Sequence, residues 1–218
     1  MSHSYPSRNK KELLIFDFDG VLADSFDYFY SLISTSMNHV GRSLTRNQFS
    51  NFFIGNVHQG SKDFINNDLE YAAFSEFRKN NYDRYYYDEN KGVKLFPKVL
   101  GFIKEIEKEY ILTIASSGKQ DNIENLLEKK KIKRYFDLIL ANSAYTKEGM
   151  INKISSKFKP KPENTIMITD TVGDIEVAKK NSLKTIAVTW GFHHKRLLKK
   201  SKPDFIANNF KELSTILS

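Results

Sequence analysis

The stretch DFDGVLADS, residues 17–25, puts two carboxylates, Asp17 and Asp19, two positions apart at the end of an apolar run, with Gly20 directly after them. Side chains at i and i+2 of an extended strand point the same way, so both carboxylates enter one small space. Where the chain leaves the strand, one carboxylate and a backbone carbonyl can share a cation. Two anions this close repel each other and raise one pKa unless a cation neutralises them. Mg2+ suits such a place, because it takes carboxylate oxygen together with substrate phosphate. An Asp–Gly pair also makes ordinary turns, so the motif needs partners elsewhere in the chain before it defines a site.

A second acidic pair, Asp170 and Asp174 in TDTVGD, follows the apolar run TIMI. Four residues apart, the two would share one face of a helix beginning there. Both pairs together supply three or four carboxylates at the ends of two strands, a donor set for a hard cation: Asp17, Asp19, Asp170 and Asp174. A phosphate needs more than the metal. Ser116, followed by Ser117, closes the run ILTIASS and offers a hydroxyl and backbone N–H groups to a phosphate oxygen. Lys147, at the start of a helical stretch, offers a positive charge to nucleophile and phosphate alike; Lys153 is the second candidate for that role.

These residues need a scaffold that brings strand ends together. Short apolar runs at 13–18, 111–115, 136–141, 165–169 and 184–188 read as strands covered on both faces. Helical patterns lie between them at 97–110, 121–131, 147–158 and 175–181. Strand–helix alternation predicts an α/β fold, a doubly wound parallel sheet with helices on both faces. Residues 25–91 interrupt it with helical patterns only, at 26–40, 45–53, 61–67 and 71–87. The expected organisation is therefore a core of residues 11–24 and 92–218 and an all-helical cap domain of residues 25–91.

Bulk composition narrows the classes. With 218 residues, 40% of them hydrophobic and 13% aromatic, the chain can bury a good core and is not disordered. The absence of cysteine excludes disulfides and thiolate metal sites and fits a cytoplasmic setting. No apolar run approaches a membrane span, and the charged N-terminus is followed by no apolar leader segment. The net charge of +8 comes from lysines scattered along the chain, mostly at helix ends, so no nucleic-acid partner is expected.

The four stretches taken together resemble the four motifs of the haloacid dehalogenase-like superfamily. DFDGVLADS matches the first, Ser116 the second, Lys147 the third, and Asp170 with Asp174 the fourth. The insertion after the first motif is similar to the cap of the phosphoglycolate phosphatase and β-phosphoglucomutase branch. The tail, with its Trp-Gly turn and a short PDFI strand, looks like the end of that branch's members. The resemblance implies a Rossmann-like core and a Mg2+-dependent phosphatase acting on a small phosphorylated metabolite, phosphoglycolate by default, through an aspartyl-phosphate. Asp17 would be the nucleophile and Asp19 the general acid and then base. The metal would be held by Asp17, the backbone carbonyl of Asp19, Asp170 and Asp174. Gly20, Ser116, Ser117 and Lys147 would bind the phosphoryl group.

Two departures from the family pattern stand out. Thr169 takes the place of a glycine and could crowd the site, and the segment around Lys147 lacks the K-P-x-P sequence of many relatives. Alternative activities are a phosphomutase of the β-phosphoglucomutase type, a pyrophosphatase or a nucleotidase, and, outside catalysis, a phosphate-ligand binding protein. Arg42, Arg46, Lys62, Arg78 and Arg84 are cap cations that could meet a substrate anion. His193 and His194 have no partners at ligand spacing and are expected on the surface of the loop after Trp190. Oligomeric state has no signature in the sequence.

Overall fold

The structure, a computed structural model, describes residues 12–55, 57–142 and 145–218. The core boundary placed at residue 11 and the N-terminal segment searched for a leader lie outside the described residues. The chain opens with β1 (Glu12–Phe16) and β2 (Ala23–Asp24), then four helices, α1 (Phe26–His39), α2 (Arg46–Asn51), α3 (Val57–Ile65) and α4 (Asp68–Tyr86). There follow β3 (Lys94–Leu95), α5 (Val99–Ile106), β4 (Tyr110–Ser116), α6 (Gln120–Lys129), β5 (Leu138–Ala141) and α7 (Lys147–Phe158). The last third holds β6 (Thr165–Thr169), α8 (Val172–Lys180), β7 (Lys184–Val188), α9 (Lys195–Lys200), β8 (Phe205–Ala207) and α10 (Phe210–Leu217).

The sheet has six parallel strands in the order β5-β4-β1-β6-β7-β8. Its central strand reads LLIF because both faces are covered and every one of these side chains is buried. Leu14 and Phe16 pack with α5 and α6 residues such as Phe102 and Leu127. Leu13 and Ile15 face Met150, Ile151 and Ile154 of α7 on the other side. The strand order reverses at β1, which lies between β4 and β6. Open α/β sheets leave a crevice at such a switch point, outside the carboxyl ends of the strands.

The expected α/β class is what the chain forms. Strands 165–169 and 184–188 and helix 147–158 have the bounds read from the sequence. The first strand stops at Phe16 and not at residue 18. Asp17 N still donates to Ile168 O at 2.9 Å, but Phe18 N turns onto Asp17 Oδ1 at 2.8 Å, so an Asp side chain takes over from the ladder. Helix α8 begins at Val172, three residues before the expected start, because the Thr171 hydroxyl caps it by accepting from Asp174 N.

Residues 26–86 contain helices and no strand, apart from undescribed residue 56. Their aromatic core joins Phe49, Phe52, Phe74, Met37 and Ile65 with Phe192 from the far end of the chain. Missed in the sequence is the antiparallel pair β2–β3, with Ala23 opposite Leu95 and Asp24 opposite Lys94, at the entry to and exit from the helical segment. Two residues per strand leave no alternation to detect. Among the described residues no helix is long and apolar enough to cross a membrane.

Candidate active site

Three adjacent strand ends bring the chemistry together. Asp17 follows β1, Ser116 closes β4, and Asp170 follows β6. Asp17 is buried; its Oδ1 accepts from Phe18 N at 2.8 Å and lies 2.9 Å from Lys147 Nζ. Lys147 is the first residue of α7, where a cation opposes the helix dipole. Its surroundings reverse that penalty. The ammonium is also 2.9 Å from Asp174 Oδ2 and donates to Ala115 O at 2.8 Å. Burial acts to strip its proton, but Asp17 and Asp174 outweigh that and hold the pKa above the usual lysine value. Lys153 is exposed, its ammonium over the Tyr145 ring at 3.3 Å. The lysine among the carboxylates is therefore Lys147.

One ammonium does not neutralise four carboxylates. Burial first, then Asp174 and Asp170, push the Asp17 carboxyl well above the usual carboxylate range despite Lys147. Asp170 is completely buried; burial drives it to about 7, against the hydrogen bond from Phe192 N. That bond reaches Oδ2 at 2.6 Å, whereas Oδ1 is buried with no hydrogen-bond partner. Asp19 is likewise raised to about 6 by burial, against the pull of Ser25 and Lys147, and its Oδ1 is buried without a partner. Buried unpaired polar atoms are rare in folded proteins and call for a ligand or an ion. Among the described residues no three His, Asp or Glu side chains are already gathered around one point, however. The Lys147 ammonium separates Asp17 from Asp174 instead.

Two glycines make room for Asp170. Gly20, at φ +75°, lies so close that a Cβ there would sit 2.0 Å from Asp170 Oδ2, and one at Gly191 would sit 2.2 Å from it. Thr169, whose side chain could crowd the site unless the strand end points it away, is pointed away and supports it. Its buried hydroxyl donates to Asp174 Oδ2 at 3.2 Å and accepts from Thr171 N at 3.2 Å. Ser116 is buried and its Oγ accepts from Gly118 N at 3.1 Å, while Ser117 beside it is exposed.

The side toward α1 and α4 is aromatic. Tyr28, Tyr82 and Tyr86 pack edge-to-face or stacked with ring centroids 5.5–6.2 Å apart. All three phenols are raised by burial, with the charge of Asp19 contributing. The cap cations that could meet an anion, or serve only as solvated helix residues, are mostly engaged elsewhere: Arg42 with Glu70 at 2.8 Å, Arg46 with Asp27 at 2.5 Å and Lys62 with Asp68 at 3.0 Å. Arg78 Nε is buried without a partner, and Arg84 is exposed.

One expectation is corrected outright. His194 is exposed and caps α9 by accepting from Leu197 N at 3.2 Å, but His193 is fully buried. Its Nδ1 accepts from Val172 N at 3.0 Å, and its Nε2 lies 2.9 Å from Ser50 O. The sequence missed it because both partners are backbone groups, from positions 21 and 143 residues away.

Residues 14–188 match the haloacid dehalogenase-like hydrolases, and the chain belongs to that family. The chain is 22% identical to a phosphoglycolate phosphatase of Aliivibrio fischeri, over 95% of its own length and 96% of the relative's. It is 26% identical to the pyrophosphatase PpaX of Bacillus cereus, over 94% and 95% of the two chains. Among solved structures, a haloacid dehalogenase-like hydrolase from Streptococcus pneumoniae superposes with a TM-score of 0.83 at 22% identity, covering 96% of this chain and 99% of the other. A predicted phosphatase from Clostridium acetobutylicum gives 0.81 at 23% identity, covering 95% and 98%. These structural likenesses carry the fold.

Proposed function

We propose that the chain is a Mg2+-dependent phosphatase that hydrolyses a small phosphorylated metabolite through an aspartyl-phosphate on Asp17, with a phosphoglycolate-like monoester as the first candidate. The observation that carries this reading is the Lys147 ammonium, 2.9 Å from both Asp17 Oδ1 and Asp174 Oδ2, beside the unpartnered oxygens of Asp19 and Asp170. Phosphoryl transfer needs placement and charge neutralisation above all. Residues 25–91 serve as a cap over the strand ends.

In the first half-reaction an Asp17 oxygen bonds to phosphorus as the bond to the leaving oxygen breaks. Asp19 gives that oxygen its proton; a carboxyl raised to about 6 keeps a usable protonated fraction near neutral pH. Asp19, now a carboxylate, then takes a proton from water. The water oxygen bonds to phosphorus, the bond to Asp17 breaks, and inorganic phosphate leaves. A carboxylate nucleophile thus divides one hard hydrolysis into two easier steps. Lys147 keeps its charge throughout and faces the transferring group. Ser116, whose oxygen accepts from Gly118 N, has its O–H to donate to a phosphoryl oxygen, and Ser117 and Gly20 are further candidate contacts for it. The oxygen-only donor set and the orphaned Asp170 Oδ1 fit Mg2+, which would be held by Asp17, the carbonyl of Asp19 and Asp170, with Asp174 supporting. When bound, Mg2+ neutralises the carboxylate excess and the charge on the phosphoryl oxygens.

The test is phosphate release from phosphoglycolate, pyrophosphate, sugar phosphates and nucleoside monophosphates, with and without Mg2+. The pyrophosphate arm matters because the curated relatives divide between the two activities. Mg2+-dependent turnover that Asp17→Asn reduces at least ~10³-fold is expected. Turnover by the Asn variant at the native rate would remove Asp17 as nucleophile.

A further inference from the structure

The segment Phe192–His193 belongs to two structures at once. The Phe192 ring lies inside the aromatic core of the helical segment, with centroids 4.7 Å from Phe53, 5.3 Å from Phe26 and 6.1 Å from Phe49. Its backbone N–H holds Asp170 Oδ2 at 2.6 Å. His193 N donates to Asp170 O at 3.3 Å. The His193 ring reaches both ways. Val172 N can only donate, so Nδ1 is the bare nitrogen and the Nε2–H donates to Ser50 O on α2 at 2.9 Å. Ser50 returns a bond from its hydroxyl to Phe192 O at 2.9 Å. Gly191, the residue before this segment, approaches the Asp170 carboxylate so closely that a methyl group there would collide with it.

We infer that His193 is a positioning residue that couples the placement of the cap to the carboxylate of Asp170, so that Asp170 is presented to its cation when Ser50 is seated against His193. This rests on the reading of Asp170 as a Mg2+ ligand and of residues 25–91 as the cap. Two part-buried struts, Ser50 O to His193 Nε2 and Ser50 Oγ to Phe192 O, connect the helical segment to the two backbone N–H groups that grip Asp170. Any movement of α2 away from the sheet breaks both. Coupling of this kind is reciprocal: seating the cap strengthens cation binding, and the cation favours the seated cap.

The experiment is calorimetric titration with Mg2+, in the absence and presence of inorganic phosphate, on the full chain and on His193→Asn and Ser50→Ala. Asparagine at 193 keeps an oxygen near the position of Nδ1 for Val172 N but cannot reach Ser50 O. Direct contact between Mg2+ and phosphate adds to the linkage in every variant, so the readout is the difference from the native chain. His193→Asn is expected to lower by about fivefold or more the gain in Mg2+ affinity that phosphate produces, and Ser50→Ala to move it in the same direction. Thermal melting identifies any variant that is merely destabilised. Lower melting temperatures with the phosphate-linked gain intact would make His193 a packing residue and overturn the inference alone. A native chain that binds no Mg2+ even with phosphate present would overturn the metal reading of Asp170, and the inference with it.

Discussion

At the residue scale, the site is defined by an imbalance of charge. Asp17, Asp19, Asp170 and Asp174 share a single buried ammonium, Lys147, and three of the carboxyls are raised by burial, with repulsion from neighbouring carboxylates adding to it at Asp17 and Asp170. Removing that ammonium leaves a cluster of buried, uncompensated carboxylates, a loss of about 3–5 kcal/mol when one partner of a buried pair is deleted. Lys147→Met is therefore expected to lower thermal stability strongly at pH 8 and less at pH 5, where the carboxyls take up protons, and to abolish turnover. Lys153→Met, which loses only an exposed contact with the Tyr145 ring, should leave both nearly unchanged. Equal effects of the two substitutions, followed by melting curves and phosphate release, would contradict the assignment of Lys147.

At the scale of elements, the candidate site depends on the ends of β4, β1 and β6 lying side by side and on the loops that leave them. The loop after β1 carries Gly20 in the left-handed region, and the loop after β7 brings Gly191 against the same carboxylate. A side chain at Gly191 must displace Asp170, its Cβ falling 2.2 Å from Oδ2. Gly191→Ala is expected to weaken Mg2+ binding at least ~10-fold and reduce turnover in parallel, while the six-stranded sheet persists in circular dichroism. Native Mg2+ affinity in that variant would show that Asp170 is not a ligand. The element scale also explains Thr169, since β6 ends with its hydroxyl directed at Asp174 Oδ2 and not into the space between the carboxylates.

At the scale of the whole molecule, the raised carboxyls make the metal-free protein sensitive to pH. Asp19 and Asp170 titrate at about 6 and about 7 in the folded state, against 3.8 for the unfolded chain. Across that window the folded state holds protons the unfolded state has lost, so stability declines as pH rises. His193, lowered by burial, acts in the opposite direction near 6.5, but it is one group against several. Carboxylates with lowered values, such as Asp83 and Glu124, are ionised in both states above pH 5 and add nothing there. The melting temperature of the metal-free chain should therefore fall from pH 5 to pH 8, by the equivalent of ~2–4 kcal/mol, and Mg2+ should restore most of it. A flat profile without metal would mean that the carboxylates are solvated. If residues 25–91 act as a cap that closes, solution scattering with Mg2+ and a phosphate analogue should show compaction; an unchanged radius of gyration would argue against cap movement.

The sequence by itself determined the α/β class, the helical character of the described part of residues 26–86 and the position of the acidic motifs directly after two strands, because each is a local matter. Apolar runs such as LLIF and TIMI mark strands covered on both faces, and DFDGVLADS and TDTVGD stand directly after two of them. Only the tertiary structure decided which lysine joins the carboxylates. Lys147 and Lys153 lie on the same helix, six residues apart, and the packing of α7 beneath the sheet turns one toward Asp17 and leaves the other outside. It also decided that the strand ends at Phe16, because the Asp17 side chain takes Phe18 N, and it moved His193 from surface to interior. Periodicity and spacing report what neighbours along the chain do together. The bonds from His193 to Val172 N and Ser50 O join backbone groups far apart in sequence; backbone groups are the same at every position and leave no mark in the order of residue types.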